Sequence, residues 1–180
     1  MHIIGGKLKG KKLAKCNLKF IRPAMALTRK SIFDTLQDSV EGANVLDLFA
    51  GSGIIGIECL SRGAKSLTLI DSDKRSLSLI RKNLSLCNLN AKIILGKLPN
   101  ILNKKKLSNE EFDLIFIDPP YGSSDFISDV LDSILKNNLL SESGIILIES
   151  EEKSCFSIPE GLILYKERVF GNTKMTYLNL

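Results

Sequence analysis

From residue 44 onward the chain alternates short apolar runs with longer amphipathic segments, and this alternation limits the possible folds more than any other feature. Five runs predict strands, at residues 45–49, 66–70, 91–95, 112–117 and 145–148. Helices are expected over residues 53–61, 72–87 and 124–136. Strands that are apolar along their whole length are typical of parallel sheets covered on both faces. The pattern therefore predicts right-handed βαβ units and an α/β fold with a doubly wound, mostly parallel sheet.

The two ends of the chain depart from this alternation. Residues 162–170 and 173–178 predict an antiparallel terminal hairpin with its turn at Gly171-Asn172. Residues 3–13 predict a short β-ribbon with glycine turns, and a helix of about four turns is expected to follow around Pro23. The apolar stripe of that helix would be Leu27, Ile32, Phe33 and Leu36. We therefore expect an N-terminal ribbon and helix over residues 1–40 and a main domain over residues 41–180.

Length and residue content exclude several classes of protein. The 180 residues suffice for one domain, and 44% hydrophobic with 25% charged residues argue against a disordered or fibrous chain. No apolar run approaches the ~20 residues that span a bilayer, so we expect a cytoplasmic protein without a membrane partner. The cysteines are scattered and the single histidine is His2, so we expect no disulfide, no metal site and no histidine-dependent triad or dyad.

Positive charge is concentrated at the N-terminus. Residues 1–34 carry nine basic side chains and one acidic side chain, a net charge of +8, whereas the rest of the chain has a net charge of −3. A basic arm on a mildly acidic body is typical of proteins that bind a polyanion, although a solvated surface gives the same pattern. The arm also contains three glycines, which disfavour a membrane-binding amphipathic helix.

A glycine-rich loop, Gly51-Ser52-Gly53-Ile54-Ile55-Gly56, lies between the first predicted strand and the following helix. Its G-x-G-x-x-G pattern lets the backbone approach a ligand at the carboxyl end of the sheet. Asp71 ends the second strand, where its carboxylate can accept hydrogen bonds from a ribose diol, and Ser72 can cap the next helix. Asp47 would repel the pyrophosphate of a dinucleotide and attract the ammonium and sulfonium of S-adenosylmethionine. The loop therefore favours the methyl donor as its ligand.

A second motif, Asp118-Pro119-Pro120-Tyr121, follows the fourth predicted strand. Two consecutive prolines fix φ at about −65° and remove two backbone donors. What remains is a stiff corner that presents the Asp118 carboxylate and the Pro119 carbonyl as acceptors. Such acceptors can receive hydrogen bonds from the two N–H groups of an exocyclic base amine, and Tyr121 can stack on the base. The corner therefore predicts direct methyl transfer to such an amine.

Together the two motifs resemble the Rossmann-like S-adenosylmethionine-dependent methyltransferases with a DPPY motif. More closely, the chain resembles the RsmD family, which methylates guanine N2 in bacterial 16S rRNA. This narrower resemblance rests on residues 3–7 and 10–13, on Arg22-Pro23, and on Arg29 and Phe33. It implies that the substrate is 16S rRNA or the assembling 30S subunit. We expect the enzyme to be a monomer.

The resemblance also assigns roles to individual residues. The methyl donor would be bound by Asp47, Phe49, Ala50, Gly51, Ser52, Gly53, Asp71, Ser72, Gly96 and Lys97. The guanine would be held by Asp118, Pro119, Pro120 and Tyr121. The rRNA phosphates would be contacted by Lys7, Lys9, Lys11, Lys12, Arg22 and Arg29.

Three features depart from the family pattern. In the family this helix usually reads R-P-T-x-D-R-x-R-E. Here four of its positions carry different residues: Ala24, Ala26, Leu27 and Lys30. The contacts that the family's side chains make at those positions therefore do not carry over to this chain. After the third strand, Gly96-Lys97-Leu98 replaces an acid or amide, which leaves recognition of the adenine to backbone groups. The link from residue 151 to residue 161 is short for a methyltransferase helix.

The residues leave three other functions open. An adenine-N6 methyltransferase acting on DNA or RNA would use the same proline corner. An NAD-linked oxidoreductase would use the same glycine loop, although Asp47 and the lack of an acid–base histidine argue against it. A non-catalytic RNA-binding module on a methyltransferase-like fold would need only the basic arm.

Overall fold

The computed structural model describes residues 1–14, 26–103, 107, 110–120 and 124–180. These residues form two compact units, Met1–Leu95 and Gly96–Leu180. The predicted domain boundary at residue 40 falls inside the first unit and remains a prediction. Within the described ranges, every helix is too short or too polar to span a bilayer.

The first unit alternates helices and strands as the sequence predicts. Its elements are α1 (Ala26–Leu36), β1 (Asn44–Leu48), α2 (Ile54–Ser61), β2 (Ser66–Asp71), α3 (Lys74–Cys87) and β3 (Lys92–Leu95). The strands lie in the order β3-β2-β1, and both pairings are parallel, with Val45 beside Leu67 and Thr68 beside Lys92. Most residues of β1 and β2 are buried, which explains why their sequences are apolar rather than alternating.

Local hydrogen bonds fix the two ends of α3. The Asp73 carboxylate caps the N-terminus by accepting from the Arg75 amide at 2.8 Å, and Asn88 ends the helix in the left-handed conformation with φ +53°. The prediction that Ser72 caps this helix is therefore wrong, because the cap lies one residue later. The predicted apolar stripe of α3 is buried and confirmed: Leu77, Ile80, Leu84 and Cys87.

The N-terminal segment is less regular than predicted. The ribbon consists of an isolated antiparallel bridge between His2 and Lys12 and a 3-10 turn at Gly6–Leu8. α1 has 11 residues, and its expected start near Pro23 lies outside the described residues. Leu27 is 77% exposed, so its place in the apolar stripe is wrong. At 3.6 residues per turn, Leu27 lies on the face opposite the three buried members of the stripe: Ile32, Phe33 and Leu36.

The second unit contains β4 (Phe112–Ile117), α4 (Ser124–Lys136), β5 (Leu140–Glu151), β6 (Ile163–Phe170) and β7 (Thr173–Asn179). Its strands lie in the order β4-β5-β7-β6. β4 and β5 are parallel, whereas β7 is antiparallel to both of its neighbours. β5 extends over 12 residues, far beyond the predicted run, because it pairs with β4 on one side and β7 on the other. The terminal hairpin is confirmed, with its turn at Gly171-Asn172.

Candidate functional site

The glycine loop joins β1 to α2 through three residues in the left-handed conformation. φ is +62° at Phe49, +53° at Gly51 and +74° at Gly53. Glycine adopts this conformation at little cost, whereas a phenylalanine needs surroundings that hold it there. The Ala50 amide donates to the Ile70 carbonyl at 3.0 Å, and the Gly53 amide donates to the Ala50 carbonyl at 2.6 Å. These bonds hold the loop against the end of β2.

Two glycines of the motif also permit close packing of helices against the sheet. A Cβ atom on Gly53 would lie 3.2 Å from the Ile80 side chain of α3. A Cβ atom on Gly56 would lie 2.6 Å from the Leu67 side chain of β2, closer than carbon atoms tolerate. The third glycine therefore brings α2 onto the strands, which is its expected role in this motif.

The carboxylate of Asp71 holds the turn between β2 and α3 and the glycine loop at the same time. Its Oδ2 atom accepts a hydrogen bond from the Gly51 amide at 2.9 Å, and its Oδ1 atom accepts one from the Asp73 amide at 2.8 Å. The bond to Gly51 is a role that the sequence reading missed. Each carboxylate oxygen has a second lone pair, so these bonds leave capacity for hydroxyl donors such as those of a ribose.

Asp47 is a buried acid in β1, next to the N-terminus of α2. Only 4% of the residue is exposed, and its Oδ2 atom accepts a hydrogen bond from the Gly56 amide at 3.1 Å. Burial raises the pKa of Asp47 from 3.8 to about 7, although the Gly56 hydrogen bond opposes the rise. Both protonation states are therefore populated near neutral pH, and a neighbouring cation would favour the ionised state.

Asn83 is a site residue that sequence reasoning missed. It is fully buried on α3, and its Nδ2 atom donates to the carbonyl of Ser52 in the glycine loop at 2.9 Å. Its Oδ1 atom accepts a hydrogen bond from the Ala14 amide at 2.9 Å. The available signal was its position: Asn83 falls among the apolar residues of the buried face of α3, three residues after Ile80 and four before Cys87.

The N-terminal segment, meaning residues 1–14 from here on, docks on α2, the helix that follows the glycine loop. Glu58 is fully buried, and its two carboxylate oxygens accept from the Ile4 amide at 2.9 Å and from Arg62 Nε at 3.1 Å. The Ser61 hydroxyl donates to the Gly5 carbonyl at 2.7 Å. The Gly5-Gly6 pair permits this approach, because a side chain at Gly5 would overlap the Arg62 guanidinium.

The predicted RNA-contacting residues fall into three groups. Four lysines of the N-terminal segment are exposed: Lys7, Lys9, Lys11 and Lys12. Arg22 lies outside the described residues. Arg29 is only 3% exposed, its Nη2 atom donates to the His2 carbonyl at 3.0 Å, and burial lowers its pKa while Glu58 opposes the drop. These contacts show that Arg29 holds the N-terminal segment, and its contact with rRNA phosphates stays a prediction.

In the second unit, the proline corner follows β4. Asp118 and Pro120 are exposed and Pro119 is buried, while Tyr121 lies outside the described residues. Lys97 is also exposed. A Cβ atom on Gly96 would lie 2.5 Å from the Ile101 side chain, so the local packing requires glycine there.

Comparisons with known proteins identify the family. A family model described as "Conserved hypothetical protein 95" matches residues 1–179. The protein named Ribosomal RNA small subunit methyltransferase D in Buchnera aphidicola subsp. Acyrthosiphon pisum is 33% identical, over 94% of this chain and 87% of that protein. The protein of the same name in Escherichia coli strain K12 is 31% identical, over 95% of this chain and 85% of that protein.

Solved structures agree with this relationship. The structure described as "Putative methyltransferase yhhF from Escherichia coli" has a TM-score of 0.87 and 28% identity, and covers 99% of this chain and 96% of that chain. A putative methyltransferase, SMU.776, solved with S-adenosylhomocysteine (SAH), has a TM-score of 0.70 and 17% identity over 87% of this chain and 50% of that chain, which supports the fold alone. The predicted Rossmann-like fold is confirmed. The chain belongs to the Conserved hypothetical protein 95 family, the RsmD family of methyltransferases.

Proposed function

We propose that this protein transfers a methyl group from S-adenosylmethionine to the exocyclic N2 amine of a guanine in bacterial 16S rRNA. The observation that carries the proposal is the near full-length similarity to relatives named Ribosomal RNA small subunit methyltransferase D. The choice of guanine N2 rests on the family resemblance of the N-terminal motifs, at residues 3–7 and 10–13. The exposed lysines of the N-terminal segment supply a surface suited to RNA phosphates.

The residues of the first unit fit the methyl donor. Asp71 has lone pairs left for the ribose hydroxyls, and it already holds the Gly51 amide of the glycine loop. Asp47, in its ionised state, would favour the ammonium and sulfonium groups. When bound, S-adenosylmethionine supplies a methyl group on a positively charged sulfur.

The proline corner would orient the amine that is methylated. The guanine N2 atom is a weak nucleophile because its lone pair is delocalised into the ring. The Asp118 carboxylate and the Pro119 carbonyl would accept hydrogen bonds from its two N–H groups, and Tyr121 would stack on the base. Transfer would form the N–C bond as the C–S bond of the donor breaks, with the bonding pair left on sulfur, and Asp118 or water would accept the N–H proton.

The test is the variant Asp118→Ala, with Asp129→Ala as the matched control, since Asp129 is an exposed aspartate on α4. Methyl transfer to rRNA from a labelled donor should be lost in Asp118→Ala, because the amine loses an acceptor fixed in advance. The affinity for SAH, measured by calorimetry, should stay within about twofold of wild type, because Asp118 is assigned to the base. Full activity of Asp118→Ala would refute the assigned role.

A further inference from the structure

Asn83 connects two parts of the first unit that the proposed function treats separately. Through its two ends, the side-chain amide joins the carbonyl of Ser52 to the amide of Ala14, each at 2.9 Å. Ser52 belongs to the glycine loop, which is the cofactor loop of the proposed function. Ala14 is the last described residue of the N-terminal segment that carries the exposed lysines. Asn83 itself is fully buried, so an unpaired end could not be compensated by water.

Other contacts bring both ends of the N-terminal segment to the same place. The Leu13 amide donates to the Met1 carbonyl at 3.0 Å, which pairs the two ends of the segment. The sulfur of Met1 lies 3.6 Å from the Ser52 hydroxyl, which donates to it. The cofactor loop therefore contacts the segment twice, directly at Met1 and through Asn83 at Ala14.

The Ser52 carbonyl is a sensitive position within the loop. Its neighbours Gly51 and Gly53 are both in the left-handed conformation, and glycine backbones rotate more freely than those of any other residue. A loop with two such residues needs bonds from outside to keep one conformation, and Asn83 supplies one of them. The loop amides and carbonyls that would face a ligand depend on that conformation.

We propose that Asn83 is a positioning residue: it fixes the cofactor loop in its binding conformation and links that conformation to the docked N-terminal segment. Cofactor binding and ordering of the segment then stabilise one another, since both require the same bridge. The proposal rests on the proposed function in two respects, since it treats the glycine loop as the part that binds the methyl donor and the segment as the part that contacts RNA. Its tests use SAH without RNA, so they can fail or succeed independently of the rRNA assay.

The first test compares Asn83→Ala with Ser61→Ala. Ser61 bonds the same segment, at the Gly5 carbonyl and the Leu8 amide, but makes no contact with the glycine loop in the described bonds. Asn83→Ala should weaken SAH binding about tenfold, which corresponds to about 1.4 kcal/mol. Ser61→Ala should bind SAH within about twofold of wild type. SAH affinity in folded Asn83→Ala within twofold of wild type, or an equal loss in Ser61→Ala, would overturn the proposal.

The second test uses the wild-type protein and does not depend on whether a variant folds. Amide hydrogen exchange, followed by NMR with and without SAH, should show slower exchange of the Ala14 amide when SAH is bound. The Leu89 amide is the control, because it bonds to the Leu84 carbonyl at the C-terminal end of the same helix, away from the bridge. Unchanged exchange at Ala14, or equal slowing at Leu89, would show that the bridge does not link the loop to the segment.

Discussion

Replacing Asp47 with asparagine should make the protein more stable at neutral pH. Asparagine keeps an oxygen that can accept from the Gly56 amide but carries no charge. The wild-type carboxyl has its pKa raised from 3.8 to about 7 by burial, so the folded state binds the proton more tightly than the unfolded state does. One pKa unit corresponds to about 1.36 kcal/mol, so the full linkage amounts to about 4 kcal/mol. That is a large part of the stability of a typical domain.

The sign and the pH window follow from this raised pKa. Between about pH 4 and pH 7 the unfolded carboxyl is ionised while the folded one is still protonated, so the wild type loses stability as the pH rises. Of the total, about 2 kcal/mol should be lost between pH 5 and pH 7. The Asp47→Asn variant lacks this contribution, and its advantage over the wild type should grow by the same amount over that range.

Urea unfolding at pH 5, 6 and 7 measures this difference directly. Asp129→Asn, which changes an exposed aspartate on α4, should keep the wild-type dependence on pH. If the stability of wild type and Asp47→Asn changed in parallel from pH 5 to pH 7, Asp47 would not be a buried acid with a raised pKa, and the reasoning would be refuted.

Three further predictions concern the N-terminal segment. Gly6→Ala should destabilise the protein more than Gly10→Ala. Both glycines have positive φ, which costs alanine about 1–2 kcal/mol, but only at Gly6 would the added Cβ overlap the Ser61 carbonyl. Equal unfolding midpoints of the two variants would contradict this. Replacing three exposed lysines with glutamate should weaken rRNA binding, the three being Lys9, Lys11 and Lys12. The slope of log K against log[salt] should become shallower by about 2–3. An unchanged slope would mean that these lysines are only solvated. Arg29→Ala should lower the thermal midpoint without changing that salt slope, since Arg29 is buried. A reduced slope would show that Arg29 contacts the RNA phosphates.

The order of strands and helices could be predicted from the sequence because burial on both faces leaves a direct mark on composition. β1 and β2 are apolar along their length, and the stripe of α3 recurs at helical spacing, so each pattern has one structural interpretation. The glycine motif was equally informative, because a Cβ atom at Gly56 would overlap a strand side chain. These elements needed no knowledge of distant contacts.

The features that sequence reasoning missed depend on contacts between distant residues. The family resemblance assigned Arg29 to the rRNA phosphates, and its bond to the His2 carbonyl is a structural role that the sequence did not indicate. Asn83 is one polar residue in an apolar stripe, and its partners lie 31 and 69 residues away along the chain. The choice between Ser72 and Asp73 as helix cap depended on a shift of one residue, which two adjacent capping residues leave undecided.

The central claim is tested most directly by identifying the methylated base. The wild-type protein would be incubated with a labelled methyl donor and either free 16S rRNA or 30S particles, and the product digested to nucleosides for mass spectrometry, with Asp118→Ala as the blank. The account predicts label in N2-methylguanosine with at least one of the two substrates. Label in N6-methyladenosine, or no methyl transfer to either substrate by protein that binds SAH, would contradict it.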